Sequence, residues 1–561
     1  MKKIIKNFFY KYWSYILMII FIACPWFLKS GYLFMTDMVW GPNITLNWYA
    51  PWFLFNLLVR GLASIIPLAF LEKMFIGAVF LLLLVAGRAL VYTILQLSAF
   101  KDDVMSACLS FVFSLFFLFN PFVYDRALYG QFGVLLSYGF LLFALAKLLA
   151  VGPNLDFKYI WQSAIFSALA IMFSAHFVFL LLPFYILFFI NLYSRRGEIK
   201  AKNGGQKLLV SLLLSVAIVL VLNANWLIAL AIRHSSLAAF VGQGITNHDL
   251  IVFQTAGKTS WGALSNVLMM SGFWGKDQFR YADLTDVAGW QRSFLFLAPI
   301  IIYGIYLSFW KRSRPEKMFS AGLLFVFALA VVLALGIKTP ATRGFSLFLY
   351  DHLPFYKGLR EPQKWVAVII PIYLYYLTIG AARLRQFKII AANRMVAGFI
   401  LGAVIVMQTP SLLWGFNRQV VPTLYPDDWY QVDKFLVNRS AQSDDCSDRI
   451  LFLPWHLYMS FNWVGKIIAN PAPVFFTCPV LSGTNMEWGG IYDNSQSPDG
   501  AAVAAWLAER GKNGPPVLNS PVRYIILAKE LDFIGYLWLN QRSYVKPLLE
   551  TNTLLVYEIK S

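Results

Sequence analysis

The chain has 561 residues, 59% of them hydrophobic, a formal net charge of +19 and a mean hydropathy of +0.62. Soluble domains are about half apolar, so the composition excludes an ordinary soluble protein and leaves room for many spans plus one extramembrane domain. The positive charge is gathered in residues 1–12, 195–207, 311–317 and 383–394, which hold 17 Lys or Arg against only Glu198 and Glu316; clusters flanking apolar stretches are an orientation signal rather than a nucleic-acid footprint.

A helical span needs about 20 apolar residues. Eleven segments qualify as spans, at about 13–28, 72–97, 104–120, 131–150, 159–175, 176–194, 208–230, 292–310, 318–336, 364–382 and 394–414. The first follows a basic start and lacks a small-residue cleavage site after it, so it is expected to stay as an uncleaved helix. The apolar run 51–71 contains Arg60 and Pro67. Counting it as a span would invert everything downstream, so an interfacial or re-entrant helix is predicted there. The break Asn120-Pro121 with Asp125-Arg126 makes 104–150 a hairpin, and Ser174-Ala175-His176 divides 159–194 into two spans. This arrangement keeps every basic cluster cytoplasmic. The N-terminus is then inside, residues 415–561 are outside, and the loops 29–71, 120–131, 231–291 and 337–363 lie on the outer face of the plasma (inner) membrane.

The tail changes character at Gly415. Asp427 or Asp428 is expected to cap a helix through about Asn438. Arg449–Leu453, Val522–Leu527 and Leu554–Ile559 read as strands, and Asp499–Arg510 as an amphipathic helix. The predicted fold is an all-α polytopic membrane bundle of about eleven transmembrane helices, residues 1–414, with a C-terminal extracytoplasmic α/β domain, residues 415–561. Cys24 and Cys108 fall in apolar runs. Cys446 and Cys478 fall on the oxidising side, where a disulfide between them is allowed, although spacing alone does not supply its geometry.

The residues that could carry chemistry crowd the outer face. Asp37 stands just beyond the first span, either as a general base for an acceptor hydroxyl or as a solvated or capping carboxylate. Asp125 and Arg126 lie in a twelve-residue hairpin, as caps, as partners of other loops, or as part of a site. His176 is either a packing histidine or a catalyst. Arg343, Lys357, Arg360 and Lys364, with Glu361 among them, bring cations to the side that positive-inside logic disfavours. An anion such as a carrier-lipid phosphate would explain them, since Arg grips phosphate bidentately and Lys supplies a point charge; so would headgroup anchoring or an Arg360–Glu361 pair. Arg88, deep in the second span, marks either function or a partner within the bundle. There is no P-loop, dinucleotide-binding glycine motif, HExxH or cysteine–histidine metal cluster, so an activated donor on the outer side would have to be lipid-linked.

These motifs resemble the GT-C superfamily of polytopic glycosyltransferases, in particular the bacterial membrane proteins similar to mycobacterial arabinofuranosyltransferases. The resemblance rests on Thr36-Asp37, the Asn120-Pro-Phe…Asp125-Arg126…Gly130-Gln131 hairpin, Ser174-Ala-His176, Leu222-Asn-Ala-Asn-Trp226, Gly272-Phe-Trp274 and Leu353-Pro…Arg360-Glu-Pro362. It implies a catalytic carboxylate in the first outer loop, at Asp37, a polyprenyl-phosphate sugar donor and an acceptor at the outer surface. Some relatives pair two acids in that loop; here Asp37 stands alone until Glu72, and a divalent metal finds no support.

The expected function is transfer of a sugar from a polyprenyl-phosphate carrier to an envelope glycan, lipid or protein acceptor by inverting displacement. Asp37 would serve as base, and Arg360 with Arg343, Lys364 or Arg126 would stabilise the departing phosphate. Two rivals remain: a transporter or flippase of lipid-linked glycans, for which internal repeats would speak, and a non-catalytic assembly protein built on the same bundle.

Overall fold

The structure is a computed structural model that describes residues 2–97, 103–151, 156–195, 204–232, 247–275, 281, 290–310, 312–384, 393–439, 448–485, 487–488, 491–492 and 497–560. Parts of the basic loops and of the loop 231–291 lie outside the described residues. The chain divides into two units. The first comprises Met1–Ala23, Ile76–Leu227 and Phe253–Gln419; the second comprises Cys24–Phe75, Ile228–Val252 and Val420–Ser561.

Each of the eleven predicted apolar segments contains a helix. Six helices have the length and apolarity to cross a membrane: Leu68–Leu97, Phe132–Leu149, Phe177–Ser194, Gly205–Leu222, Arg314–Leu335 and Pro362–Leu384. Two bent pairs add to these if each counts as one span: Ser106–Phe117 with Pro121–Leu128, bent by 48°, and Met395–Val406 with Pro410–Asn417, bent by 75°. Trp13–Phe27, Phe157–Phe173 and Ser293–Phe309 are further apolar stretches; the first and last belong to the longer helices Lys2–Phe27 and Trp290–Phe309, while Phe157–Phe173 has 17 residues, short of the roughly 20 that a bilayer asks for. By length and apolarity, six to eight of the eleven expected spans qualify among the described residues. The chain is a multi-pass membrane protein. Two stretches expected as loops are partly helical, Pro121–Leu128 and Pro340–His352, each started by a proline at the first turn, where its missing N–H costs nothing.

Within the first unit, Trp290–Phe309 lies against Val366–Leu384. Their contact needs glycine. A Cβ on Gly304 would sit 1.9 Å from the Tyr376 carbonyl oxygen, and one on Gly380 would sit 2.2 Å from that of Ile300. Small residues let apolar helices touch backbone to backbone, which is how helices gain packing energy where lipid competes for every leucine.

The second unit holds a five-stranded mixed sheet. The strands of this unit are β1 (Arg449–Leu453), β2 (Tyr458–Phe461), β3 (Lys466–Ala469), β4 (Val480–Leu481), β5 (Glu487–Trp488), β6 (Ile491–Tyr492), β7 (Val522–Ala528), β8 (Val545–Glu550) and β9 (Leu554–Ile559). The sheet order is β4-β1-β7-β9-β8, with β1 parallel to β4 and β7, and β9 antiparallel to β7 and β8. β2 and β3 form a separate antiparallel pair. Alternate residues of β1 feed opposite faces, as a period of two requires. Ile450 and Phe452 pack with Trp429, Val432 and Leu436 of the helix Asp427–Arg439. Leu451 and Leu453 pack with Val503 and Trp506 of the helix Pro498–Ala508.

Asp428, expected as a cap, lies in the first turn of the helix Asp427–Arg439 and reaches across to the turn before β9. Its Oδ2 accepts hydrogen bonds from Thr551 Oγ1 and from the N–H and Oγ1 of Thr553, at 2.6–2.9 Å. Burial alone would raise this carboxyl, but the threonine hydrogen bonds prevail and hold it below its usual range. Asp428→Ala is expected to lower the unfolding free energy by about 1 kcal/mol, the worth of bonds to a charged group reduced for solvent screening. Because the folded pKa is depressed, the contribution is present above about pH 4 and fades as acid titrates the carboxylate. Denaturation curves of the two proteins at pH 7 and pH 3 check this: the gap between them should narrow in acid.

Cys478 is disulfide-bonded, and the free cysteines are Cys24 and Cys108. Cys446, the expected partner, lies outside the described residues.

Candidate functional site

The first unit gathers four of the predicted residues at one place. Asn120 caps the helix Pro121–Leu128, accepting from the Val123 N–H at 3.0 Å while its amide donates to the Phe116 carbonyl at 2.8 Å. That cap fixes the first turn and thereby the direction of Arg126, which is 1% exposed. Arg126 Nη1 donates to Glu361 Oε2 and to Gln131 Oε1. Its guanidinium lies over the Phe273 ring, 4.5 Å from the centroid. Lys364 Nζ reaches the other oxygen of Glu361 at 3.4 Å.

His176 closes the group from the turn between two helices. Its Nε2 donates to the Gly358 carbonyl at 2.7 Å, and its Nδ1 pairs with Ser174 Oγ at 2.9 Å. A carbonyl can only accept, so the Nε2 proton is fixed and the neutral ring leaves Nδ1 to receive the serine hydroxyl. Lys364 Nζ stands 3.5 Å from the ring nitrogens. His176 therefore orders the segment 358–364 and buttresses the lysine.

The approach of that segment depends on Gly336, where the helix Arg314–Leu335 ends. Gly336 has φ +57°, and a Cβ there would meet Pro362 at 2.9 Å. Gly336→Val is expected to displace Pro362 and with it Glu361 and Lys364, lowering thermal stability by several degrees in a melting curve, since both the left-handed backbone and the space exclude a branched side chain.

The electrostatics follow from this packing. Burial alone would raise the Glu361 carboxyl, but Lys364 and Arg126 outweigh it, with Arg360 adding to them, and hold it well below the usual carboxylate range. Glu361 and not Arg360 is the hub, and its ion-pair partners are Arg126 and Lys364. Arg360 is half-buried with its guanidinium 4.5 Å from the Phe253 ring centroid. Three cations thus act on one carboxylate. Arg126 Nη2 is buried with no hydrogen-bond partner, an expensive state for a charged donor.

The other predicted residues lie elsewhere. Arg343 is exposed and donates through Nε to the Ile337 carbonyl at 3.3 Å. Lys357 lies over the Tyr350 ring. Arg88 lies 6.0 Å from the centroid of the Tyr15 ring, and Asp125 is half-buried in the same short helix as Arg126. Among the described residues, no three His, Cys, Asp or Glu side chains gather as a metal site would.

Asp37 belongs to the second unit, where it is exposed. The Tyr458 hydroxyl, from β2, donates to its Oδ1 at 2.8 Å. The neighbouring Thr36 is buried, and its carbonyl accepts from the Ala469 N–H of β3 at 2.8 Å. The loop carrying the acid is thereby pinned along the β2–β3 pair. Sequence reasoning missed Tyr458, which no local motif marks, and gave Gln131, Phe253 and Phe273 no role, since only the fold shows what they touch.

No family model and no curated relative matches the chain. Among solved structures it is similar to the cryo-EM structure of the arabinofuranosyltransferase AftD from Mycobacteria, with TM-score 0.53 and 14% identity, covering 98% of this chain and 40% of that one. A mutant form of the same protein gives TM-score 0.53 and 13% identity, covering 98% and 42%. The crystal structure of ArnT from Cupriavidus metallidurans bound to undecaprenyl phosphate aligns at TM-score 0.38 and 12% identity over 96% of both chains. The chain spans about two fifths of the length of the arabinofuranosyltransferase. Over the part it covers, the chain shares the fold of that mycobacterial protein.

Proposed function

We propose that the chain is a membrane glycosyltransferase that takes a sugar from a polyprenyl-phosphate carrier and delivers it to an envelope glycan, lipid or protein acceptor on the outer side of the plasma membrane. One observation carries most of the weight: a buried group in which Arg126 and Lys364 face a single carboxylate, with one arginine donor unpartnered. Such an excess is costly unless an anion completes it. The fold shared with the arabinofuranosyltransferase is compatible with a carrier phosphate in that role.

In the proposed reaction the acceptor oxygen bonds to the anomeric carbon, the bond from that carbon to the carrier phosphate breaks, and the configuration inverts. The acceptor proton passes to Asp37. The carrier phosphate gains one negative charge as it leaves, so Arg126, Arg360 and Lys364 would bind the late species more tightly than the donor, and only such differential binding accelerates the step. Glu361 is assigned to hold Arg126 and Lys364 in place. Residues 1–414 are assigned to donor binding and catalysis, and 415–561 to positioning the acceptor outside the cell, with the N-terminus cytoplasmic.

The test is binding of a polyprenyl monophosphate to the purified chain, against the uncharged polyprenol. The phosphate form should bind at least tenfold more tightly, and Arg360→Gln should erase most of that margin, the worth of one bond to a charged group. Equal binding of the two lipids would remove the donor assignment. Movement of a lipid-linked glycan across vesicles with no new glycosidic bond would favour the transporter instead.

A further inference from the structure

A second place in the first unit is built to hold a ligand, and the proposed reaction does not use it. A cavity of about 220 Å³ opens among the ends of the helices Leu68–Leu97, Phe132–Leu149, Phe177–Ser194, Arg314–Leu335 and Val366–Leu384. His176 precedes the helix Phe177–Ser194 and Arg195 follows it, so the cavity lies at the end of that helix away from the Glu361 group, where the basic sequence clusters fall. Its walls are apolar, with Leu148, Phe184, Leu187, Phe188 and Leu323 among them. The space would take about seven waters at about 30 Å³ each, but aliphatic and phenyl walls would give most of them no partner.

One end of the cavity is different. Asn191, Arg195, Arg312 and Glu316 line it. Arg312 Nη1 pairs with Glu316 Oε1 at 3.2 Å, and Glu316 Oε2 is occupied by the Ser313 N–H and hydroxyl at 2.9 Å. Glu316 thus answers one arginine and caps its own helix. Arg195 Nε and Asn191 Oδ1 remain buried without a hydrogen-bond partner. Both residues line the apolar chamber, one with an unmatched donor on a cation and the other with an unmatched acceptor.

We infer that this cavity binds an anionic glycerophospholipid, with an acyl chain along the apolar walls and the phosphate on Arg195 and Arg312. Two arginines against one glutamate favour a headgroup with net negative charge. The unpartnered Asn191 oxygen asks for a donor, which a glycerol headgroup hydroxyl supplies and a choline headgroup lacks. Phosphatidylglycerol meets all three demands at once: apolar chain, phosphate oxygen for Arg195 Nε and hydroxyl for Asn191 Oδ1. No part of this depends on the sugar-transfer assignment.

The experiment is lipid titration of the delipidated full chain in neutral detergent, read by native mass spectrometry and by the melting temperature. Phosphatidylglycerol should bind at least tenfold more tightly than phosphatidylcholine and raise the melting temperature, while inorganic phosphate alone should do neither. The double variant Arg195→Gln/Arg312→Gln should bring phosphatidylglycerol down to the level of phosphatidylcholine. Leu148→Phe, which intrudes on the chamber and leaves the charges, should weaken both lipids, and it keeps the test decisive if the double variant fails to fold. Equal binding of the two lipids by the unaltered chain would overturn the assignment. So would full binding in Leu148→Phe, or a melting shift reproduced by phosphate alone.

Discussion

Asp37→Asn is expected to reduce sugar transfer by a factor of about 10²–10⁴, the usual worth of a positioned general base, while the chain elutes and melts as before. Asparagine keeps the shape and the acceptor oxygen, so the Tyr458 hydroxyl that donates to Asp37 Oδ1 at 2.8 Å still finds a partner. What is lost is the negative charge and with it the capacity to take a proton. Because Asp37 is exposed, no buried charge is stranded and folding has little reason to change. The measurement is single-turnover transfer from a lipid-linked donor, with donor binding followed separately. Full activity in the asparagine variant removes Asp37 from the mechanism. Loss of donor binding without loss of the chemical step would recast it as a binding residue. Tyr458→Phe should cost far less, since it frees the carboxylate's orientation without removing it.

Glu361→Gln is expected to produce the largest loss of stability, about 3–5 kcal/mol, as for breaking a buried pair by removing one partner. The glutamate is 9% exposed, Lys364 5% and Arg126 1%, so the two cations would be left in a low-dielectric setting with no counter-charge. The companion Glu361→Gln/Lys364→Met should recover part of the loss, because it removes a stranded cation along with its partner. A double-mutant cycle on denaturant or thermal unfolding reads the coupling directly. The pH dependence has a defined sign. The folded Glu361 carboxyl titrates below its unfolded range of about 4.3. Its contribution is therefore complete at neutral pH and disappears only as strong acid protonates the native state. If the single variant melts like the parent at pH 7, the ion group does not hold the segment 358–364 in place.

Much of this architecture was legible from local pattern. The strand Arg449–Leu453, the helix beginning at Asp427 and the closing strand Leu554–Ile559 emerge at their expected positions, because each is a short periodic stretch bounded by turn residues. Hydropathy registers the apolar run at 157–173 but not that its helix stops at 17 residues, and it registers Asn120-Pro121 as a break without showing that Pro121–Leu128 starts a new helix. In the site, burial and charge drew attention to Arg126, His176, Glu361 and Lys364 one at a time. Their convergence was not legible, since Arg126 and Glu361 stand 235 positions apart. Nor did the sequence order show that Glu361 turns to Arg126 and Lys364.

The first loop and the tail also share a core: Tyr32 and Phe34 are packed with Tyr425 and Trp429, and Tyr32 exchanges two backbone hydrogen bonds with Thr423. Biogenesis inherits a strict order from this. Tyr32 and Phe34 must wait until Tyr425 and Trp429, made nearly 400 residues later, have emerged before this core can close. A fragment excised at Gly415 would lack part of its own interior, so expressing residues 415–561 alone should yield a loose, aggregation-prone product unless the peptide 29–45 is supplied alongside it.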